Sequence, residues 1–361
     1  MRDGAKLAIA EINAKGGLVV GGKKMRINVI ERDDEGKNER GALVAQELAS
    51  MPDLSAVIGT VNTGVVMAGD KFLQAKKIVK LICPAAGTAS MSQWAKPDVT
   101  DLYMFRFSAD DGIQSQMVVD EAARLGFTKV AILHDSTNYG VSGRDDLSRR
   151  IKANGKMTVV AAEQFNIGDK DMTAQLLKAK ASGAQAVLIW GIGPELAAVA
   201  NDMGKIAYKV PLIGGWTLSM SNFLDNAGKN ANGTLMPQSF IEEPVNKTSA
   251  AFIKAYHKAY HVDRMPSPMS AAEGYDAVKV LAAAVEQAGS TDSTKIKDAL
   301  EDLKTPVKGV IATWNHPYSK WDPAHPDTHE AFRASDVVMG LAKNGRVVFA
   351  NPADKERLMK E

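Results

Sequence analysis

The chain has almost no cysteine, few aromatic residues and no dominant charge, and each shortage narrows what it can do. Its one cysteine, Cys83, has no partner for an internal disulfide. It sits in the apolar run Val79–Cys83 with no base beside it, so it reads as a buried inert thiol rather than a nucleophile. Lys and Arg number 44 against 42 Asp and Glu, a net charge of +2. These charges are scattered rather than gathered into a stripe, which excludes the electrostatic footprint of a nucleic-acid-binding surface. No apolar run approaches the roughly 18 residues of a membrane span, so membrane insertion is not expected. No signal peptide opens the chain, which fits a cytoplasmic protein as well as a mature or truncated one. The 361 residues, 45% hydrophobic and 24% charged, suffice for two globular domains of about 150–200 residues each.

What is present is alternation. Arg2–Asn13 places Ala5, Ala8, Ile9 and Ile12 on one helical stripe, ended by Gly16-Gly17, the spacing of an amphipathic helix and its stop. Met25–Glu31 alternates as a strand, and Asp33-Asp34 open a helix running to about Ser50. Ser55–Gly59, Val79–Cys83 and Tyr103–Phe107 follow as strands, with a helix after Thr63. Past Ser108–Gly112 the pattern restarts, with strands at Lys129–His134, Met157–Ala162, Ala186–Gly191 and Val210–Ile213 separated by helical stretches. Short apolar runs alternating with helices of 10–15 residues predict parallel βαβ units. The expected fold is α/β, two consecutive doubly wound parallel-sheet sets of similar length. The remainder is less regular. Leu235–Ile241 is strand-like, two helices follow, and a Pro- and His-bearing loop spans Trp314–Glu330. Strands Ser335–Met339 and Arg346–Ala350 meet at Asn344-Gly345, a hairpin signal.

The most informative stretch is Val57-Ile58-Gly59-Thr60-Val61-Asn62-Thr63-Gly64. In open α/β sheets ligands collect outside the carboxyl ends of the strands, where helix N-termini aim unpaired N–H groups outward. Asn62 and Thr63 add hydrogen-bonding side chains there, and Gly64 lets the backbone come close. With no lysine in the turn and no GxxxxGK[ST] spacing, the chemistry suits a carboxylate better than a phosphate. An ordinary Asn/Thr N-cap holding no ligand has the same appearance.

Enzymatic alternatives find little support. His316, His325 and His329 share one loop, but Pro323 and Pro326 break any helix there and no Cys or carboxylate cluster completes a zinc set. His134-Asp135 has no serine with elbow context, since Ser136 lacks flanking glycines. Gly191-Ile192-Gly193 begins a dinucleotide fingerprint that Pro194 and Leu196 break. No cofactor and no metal are therefore expected. Arg106 is expected in a structural ion pair with Asp110 or Asp111 rather than on a ligand.

Taken in order, the helix Asp3-Gly4-Ala5-Lys6-Leu7-Ala8-Ile9-Ala10-Glu11-Ile12-Asn13-Ala14-Lys15-Gly16-Gly17, then Asp33-Asp34, Val57-Ile58-Gly59, Cys83-Pro84-Ala85-Ala86, His134-Asp135 with Tyr139-Gly140, and Gly274-Tyr275-Asp276-Ala277-Val278 make the chain resemble the type I periplasmic binding proteins of the Leu/Ile/Val ABC-transporter class. The resemblance covers nearly the whole chain. It implies two doubly wound lobes joined by three crossovers, near 108–111, 236–241 and 309–314, with the ligand in the cleft between them. The lobes would comprise 1–109 plus 241–311 and 110–240 plus 312–361. By the same likeness Thr63, beside Asn62, carries the carboxylate-binding hydroxyl, the loop Ala85, Ala86, Gly87 and Thr88 adds backbone contacts, and Tyr139 closes from the second lobe. The partners implied are a small carboxylate ligand and the permease and ATPase components of an importer, the binding protein itself acting as a monomer in the periplasm. The family begins with a strand ahead of the helix at Arg2–Asn13, so that strand and a signal peptide are expected to be missing from the chain as given.

One departure bears on the ligand. Amino-acid-binding members carry an acidic residue just after the strand matching Val210–Ile213, where it takes the ammonium group. Here that place reads Gly214-Gly215-Trp216-Thr217. A buried ammonium without a counter-charge costs several kcal/mol, whereas Trp216 offers a flat apolar face, with Ile192 beside it. The expected ligand is a carboxylate with no amine and an apolar or aromatic body. Glu195 and Asp135 are the acids that could restore an amino-acid site, which leaves a branched-chain amino acid binder as the alternative. A ligand-sensing module of the same fold is a further one.

Overall fold

The computed structural model describes residues 1–360, which fall into two compact units. The first comprises Met1–Asp110, Ala251–Val262 and Ser270–Asp336; the second Asp111–Ala250, Asp263–Met269 and the chain from Val337 on. Residues 312–336, expected in the second lobe, belong to the first unit because their aromatic side chains bury there. The ring of His329 stacks on Phe105 at 3.9 Å, and Trp314 and Phe332 pack against Phe107. The chain returns to the first unit inside the helix Lys247–Tyr260 and leaves it after Asp336, later in both cases than expected.

In the first unit the strands Ala56–Ile58, Val79–Ile82 and Met104–Arg106 form a parallel sheet in that order. The central strand is buried throughout, as a parallel strand covered on both faces must be. Lys80 interrupts its apolar run, and its ammonium meets the Asp70 carboxylate in a buried ion pair. The helix Thr63–Ala75 follows the first strand. Two expectations fail near the N-terminus. Met25–Glu31 is not a strand beyond Met25; instead Leu18–Val20 and Lys23–Met25 pair as an antiparallel hairpin. The helix expected from Asp33 begins only at Asn38. Asp33 and Asp34 accept the N–H groups of Glu35 and Gly36, both at positive φ, so these acids make turns rather than a helix start.

The second unit is built on a seven-stranded sheet. Its order is Arg346–Phe349, Val338–Lys343, Leu235–Gln238, Leu212–Gly214, Ala186–Trp190, Lys129–Asp135 and Thr158–Phe165. The last five are parallel and the first two antiparallel additions. The chain runs from Lys129–Asp135 to one neighbour, Thr158–Phe165, and returns to the other, Ala186–Trp190. That reversal opens a crevice at the strands' carboxyl ends. One face of the sheet is packed by Leu133, Ile189, Leu196, Val199 and Phe223, all essentially inaccessible. Among the described residues, no helix is long and apolar enough to cross a membrane.

Candidate functional site

In the first unit, the carboxyl ends of all three strands converge on one polar turn. Gly59 N–H donates to Leu81 O, Cys83 N–H to Gly59 O and Ala85 N–H to Thr60 O, at 3.1–3.3 Å. These bonds zip the 59–62 turn to the 83–88 loop. Asn62 caps the helix Thr63–Ala75, its Oδ1 accepting Gly64 N–H at 2.8 Å. Its side chain is therefore a cap, the simpler of the two sequence readings. Thr63 is different. It is fully buried at the first helical position, and its Oγ1 accepts Gly87 N–H at 3.2 Å. A hydroxyl that accepts in this way keeps its own hydrogen to donate elsewhere.

The 84–88 loop is held from behind. Ser108 Oγ donates to Ala85 O at 3.0 Å, and Arg106 Nη1 donates to Ala86 O and Gly87 O at 2.6 and 2.9 Å. Ala85 and Ala86 are buried and Thr88 half-buried. Gly87 is required as glycine, since a Cβ there would overlap Thr63 Oγ1 and Cγ2. Arg106 is paired with the Glu330 carboxylate, a partner the sequence reading did not name. The sequence reading also missed Thr60, whose buried Oγ1 has no hydrogen-bond partner. Its place in the same turn was the available signal.

In the second unit, the candidates again lie at the carboxyl ends of strands. Asp135 ends one strand and works as a bracket. Its Oδ1 accepts the Thr137 N–H and hydroxyl at 2.9 and 2.6 Å, and its Oδ2 accepts Ile192 N–H at 2.8 Å. Burial raises its pKa, against the pull of these donors. With both oxygens committed, Asp135 is not an acid in reserve. Glu195 is: its Oε1 accepts Gly168 N–H at 2.7 Å, while the buried Oε2 has no partner.

Tyr139 and Trp216 are 3% and 1% exposed, so Trp216 offers no open face; its ring is packed within the protein. Trp216 N–H donates to Gln114 Oε1 at 3.0 Å, and its carbonyl accepts from Ser219 Oγ and Gln238 Nε2. Its indole Nε1 lies beside the Tyr139 hydroxyl, which the Trp216 and Thr217 side chains both approach as hydrogen-bonding groups. Burial pushes the Tyr139 phenol well up, with the Asp111 and Asp135 charges adding to it and the nearby Thr217 and Trp216 opposing it. The indole N–H and the phenol oxygen are therefore neighbours. Gly215 makes the room, for a Cβ there would lie 2.8 Å from the Tyr139 hydroxyl oxygen. Gln238 Oε1, beside Trp216, is buried without a hydrogen-bond partner, and Thr217 Oγ1 donates to Gly191 O at 2.7 Å. Neither residue was singled out from sequence. The three loop histidines do not meet: His329 is buried against Glu301 and Met104 O, whereas His316 turns to Leu303 O.

Residues 1–331 match the family model described as periplasmic binding protein. Among curated proteins, the chain is 28% identical over 347 residues to Leu/Ile/Val-binding protein homolog 3 of Brucella melitensis, covering 94% of this chain and 88% of that one. It is similar to a periplasmic binding protein type 1 structure from Bordetella pertussis, at TM-score 0.81 and 26% identity over 96% of this chain and 93% of that one. It is also similar to an ABC transporter substrate-binding protein from Desulfitobacterium hafniense in complex with Leu, at TM-score 0.75 and 25% identity, with 96% and 94% of the two chains covered.

Proposed function

The chain belongs to the periplasmic binding protein family, solute-binding proteins rather than enzymes, and from that membership we propose that it captures an amine-free small carboxylate with an apolar or aromatic body for an ABC importer. The first unit supplies the carboxylate end. Thr63 donates its hydroxyl hydrogen while Gly87 N–H occupies its lone pair. The backbone of the 85–88 loop adds further donors. Charge-assisted hydrogen bonds of this kind are each worth roughly 1.5–3 kcal/mol.

The observation that carries the ligand class is the turn Gly214–Thr217, where no carboxylate stands to meet an ammonium group. Asp135 has both oxygens committed to backbone and hydroxyl donors, so an ammonium would go without its counter-charge there, at a cost an uncharged body does not meet. Ile192, fixed through its amide to Asp135, adds aliphatic surface. The protein would work outside the cytoplasm, delivering its ligand to permease and ATPase components.

A second reading is a branched-chain amino acid binder. The names of the relatives favour it, and so does the unpartnered Glu195 Oε2, which could take an ammonium. Thermal melts of ligand-stripped protein with 4-methyl-2-oxopentanoate, benzoate and leucine separate the two. A ligand at about 1,000 times its dissociation constant adds roughly 4 kcal/mol of stability. A shift with the amine-free acids and none with leucine supports the proposal. A shift with leucine alone, abolished by Glu195→Gln, establishes the second reading instead.

A further inference from the structure

We propose that Arg106 and Glu330 are positioning residues for ligand capture, setting from beneath the direction in which the 84–88 loop presents its amides. This rests on the reading that the Thr63 turn and this loop take the ligand carboxylate. Neither side chain belongs to the capture surface itself: Arg106 is 1% exposed and Glu330 9%.

The geometry is that of a two-sided fork. On one side the guanidinium donates Nη2–H to Glu330 Oε1 at 2.9 Å, and its Nε lies 2.8 Å from Oε2, within ion-pair distance. On the other side Nη1 reaches Ala86 O and Gly87 O together. In a trans peptide the carbonyl and the next residue's N–H point in opposite directions. Drawing the carbonyls of Ala86 and Gly87 toward Arg106 therefore turns the N–H groups of Gly87 and Thr88 away from it. For Gly87 the result is visible, since its N–H meets Thr63 Oγ1. Lysine cannot reproduce this, because an ammonium has no planar fork to span a carboxylate and two carbonyls at once.

Glu330 is itself held in place. Its segment docks on the strand Met104–Arg106: Ala331 N–H and the Tyr318 hydroxyl both donate to Arg106 O, at 3.1 and 3.0 Å. The preceding residue, His329, stacks on Phe105 and sits 2.8 Å from Met104 O and 3.1 Å from Glu301 Oε1. A buried ion pair adds little net stability over apolar residues of similar volume. A pair kept here, with its free edge on two loop carbonyls, points to orientation of the loop.

The test is a double-mutant cycle on dissociation constants, measured by calorimetric titration with 4-methyl-2-oxopentanoate and with leucine, both of which carry the carboxylate. The variants are Arg106→Lys, Thr63→Val and the double, with Glu330→Gln as a second probe should Arg106→Lys fail to fold. Expected are a loss of about tenfold or more for Arg106→Lys and for Glu330→Gln, and a double variant no weaker than Thr63→Val alone, because both changes disable one contact. A merely structural role would multiply the two losses, and that outcome overturns the proposal. So does unchanged affinity in Arg106→Lys and Glu330→Gln while Thr63→Val binds weakly. Unchanged affinity in Thr63→Val instead removes the capture reading, and this inference falls with it.

Discussion

Replacing Asp276 with asparagine isolates the cost of a buried charge. This carboxylate is inaccessible and accepts Val310 N–H at 2.8 Å through Oδ1, and Ile311 N–H and Trp314 Nε1–H, each at 3.0 Å, through Oδ2. It thereby ties the strands Val307–Lys308 and Thr313–Trp314 to the helix Pro268–Ala288. Burial outweighs the three donors and raises its pKa from the ordinary 3.8 to about 6. A carboxyl whose folded pKa is raised prefers the folded state when protonated. Its stabilising share is full below about pH 4 and is lost as the pH rises through about 6, a change of about 3 kcal/mol. Asparagine does not titrate. Its carbonyl can replace Oδ2, but its amide faces the Val310 N–H, donor against donor, at a cost of about 1–3 kcal/mol. The variant should therefore be less stable than the native protein at pH 4, and the gap should close or reverse by about 3 kcal/mol by pH 7. In a unit of this size that corresponds to roughly 6–12 °C in relative melting temperature. Paired thermal melts from pH 4 to 7 read it directly. Glu330, raised by burial to about 7, titrates in the same sense but is common to both proteins and cancels. A gap that stays constant across this range refutes the reasoning.

Thr63→Val keeps the shape of the side chain and removes its hydroxyl; ligand affinity should fall roughly 10- to 150-fold, and the ligand-free protein should lose about 1–3 kcal/mol because the buried Gly87 N–H is left without its acceptor, as titration and melts will show. Gly87→Ala should abolish binding while leaving the circular-dichroism spectrum intact, because the added methyl overlaps Thr63; retained affinity would mean the loop shifts without loss. Lys80→Met strands the buried Asp70 carboxylate and should cost about 3–5 kcal/mol. Adding Asp70→Leu should recover most of that in denaturant unfolding, since the apolar pair fills the same space without a charge.

The alternation of strands and helices was legible because parallel strands buried on both faces carry dense apolar runs, as in Val79–Ile82, Lys129–Asp135 and Ala186–Trp190. The hairpin at Asn344-Gly345 was legible because both residues adopt positive φ, 51° and 74°, which that dipeptide tolerates. The hairpin Leu18–Met25 was not, since its strands have three residues each, too few to show a period. The helix Ser293–Glu301 escaped too, although Asp292 caps it by accepting Lys295 N–H. At the site, the Thr63 turn could be read because its polar residues are contiguous. Its support could not: Glu330 lies 224 residues from Arg106, and no local pattern announces a pairing at that separation. Unpartnered atoms such as the Glu195 Oε2 emerge only when neighbours can be counted in space.

The second unit's sheet is discontinuous in the chain, and this has a consequence for how the protein is made and cut. Strand Leu235–Gln238 finds its antiparallel neighbour only in Val338–Lys343, Gln238 opposite Val338, one hundred residues later. At about 5–20 residues per second, a ribosome needs roughly 5–20 s to supply that neighbour. Meanwhile the strand's outer edge is a row of unpaired amides and carbonyls, open to pairing with any other extended chain. A gene cut after Ala250 would not release a self-sufficient second unit, because the tail from Val337 would be lost with the segment Asp263–Met269. A stand-alone version would need both joined to residues 111–250.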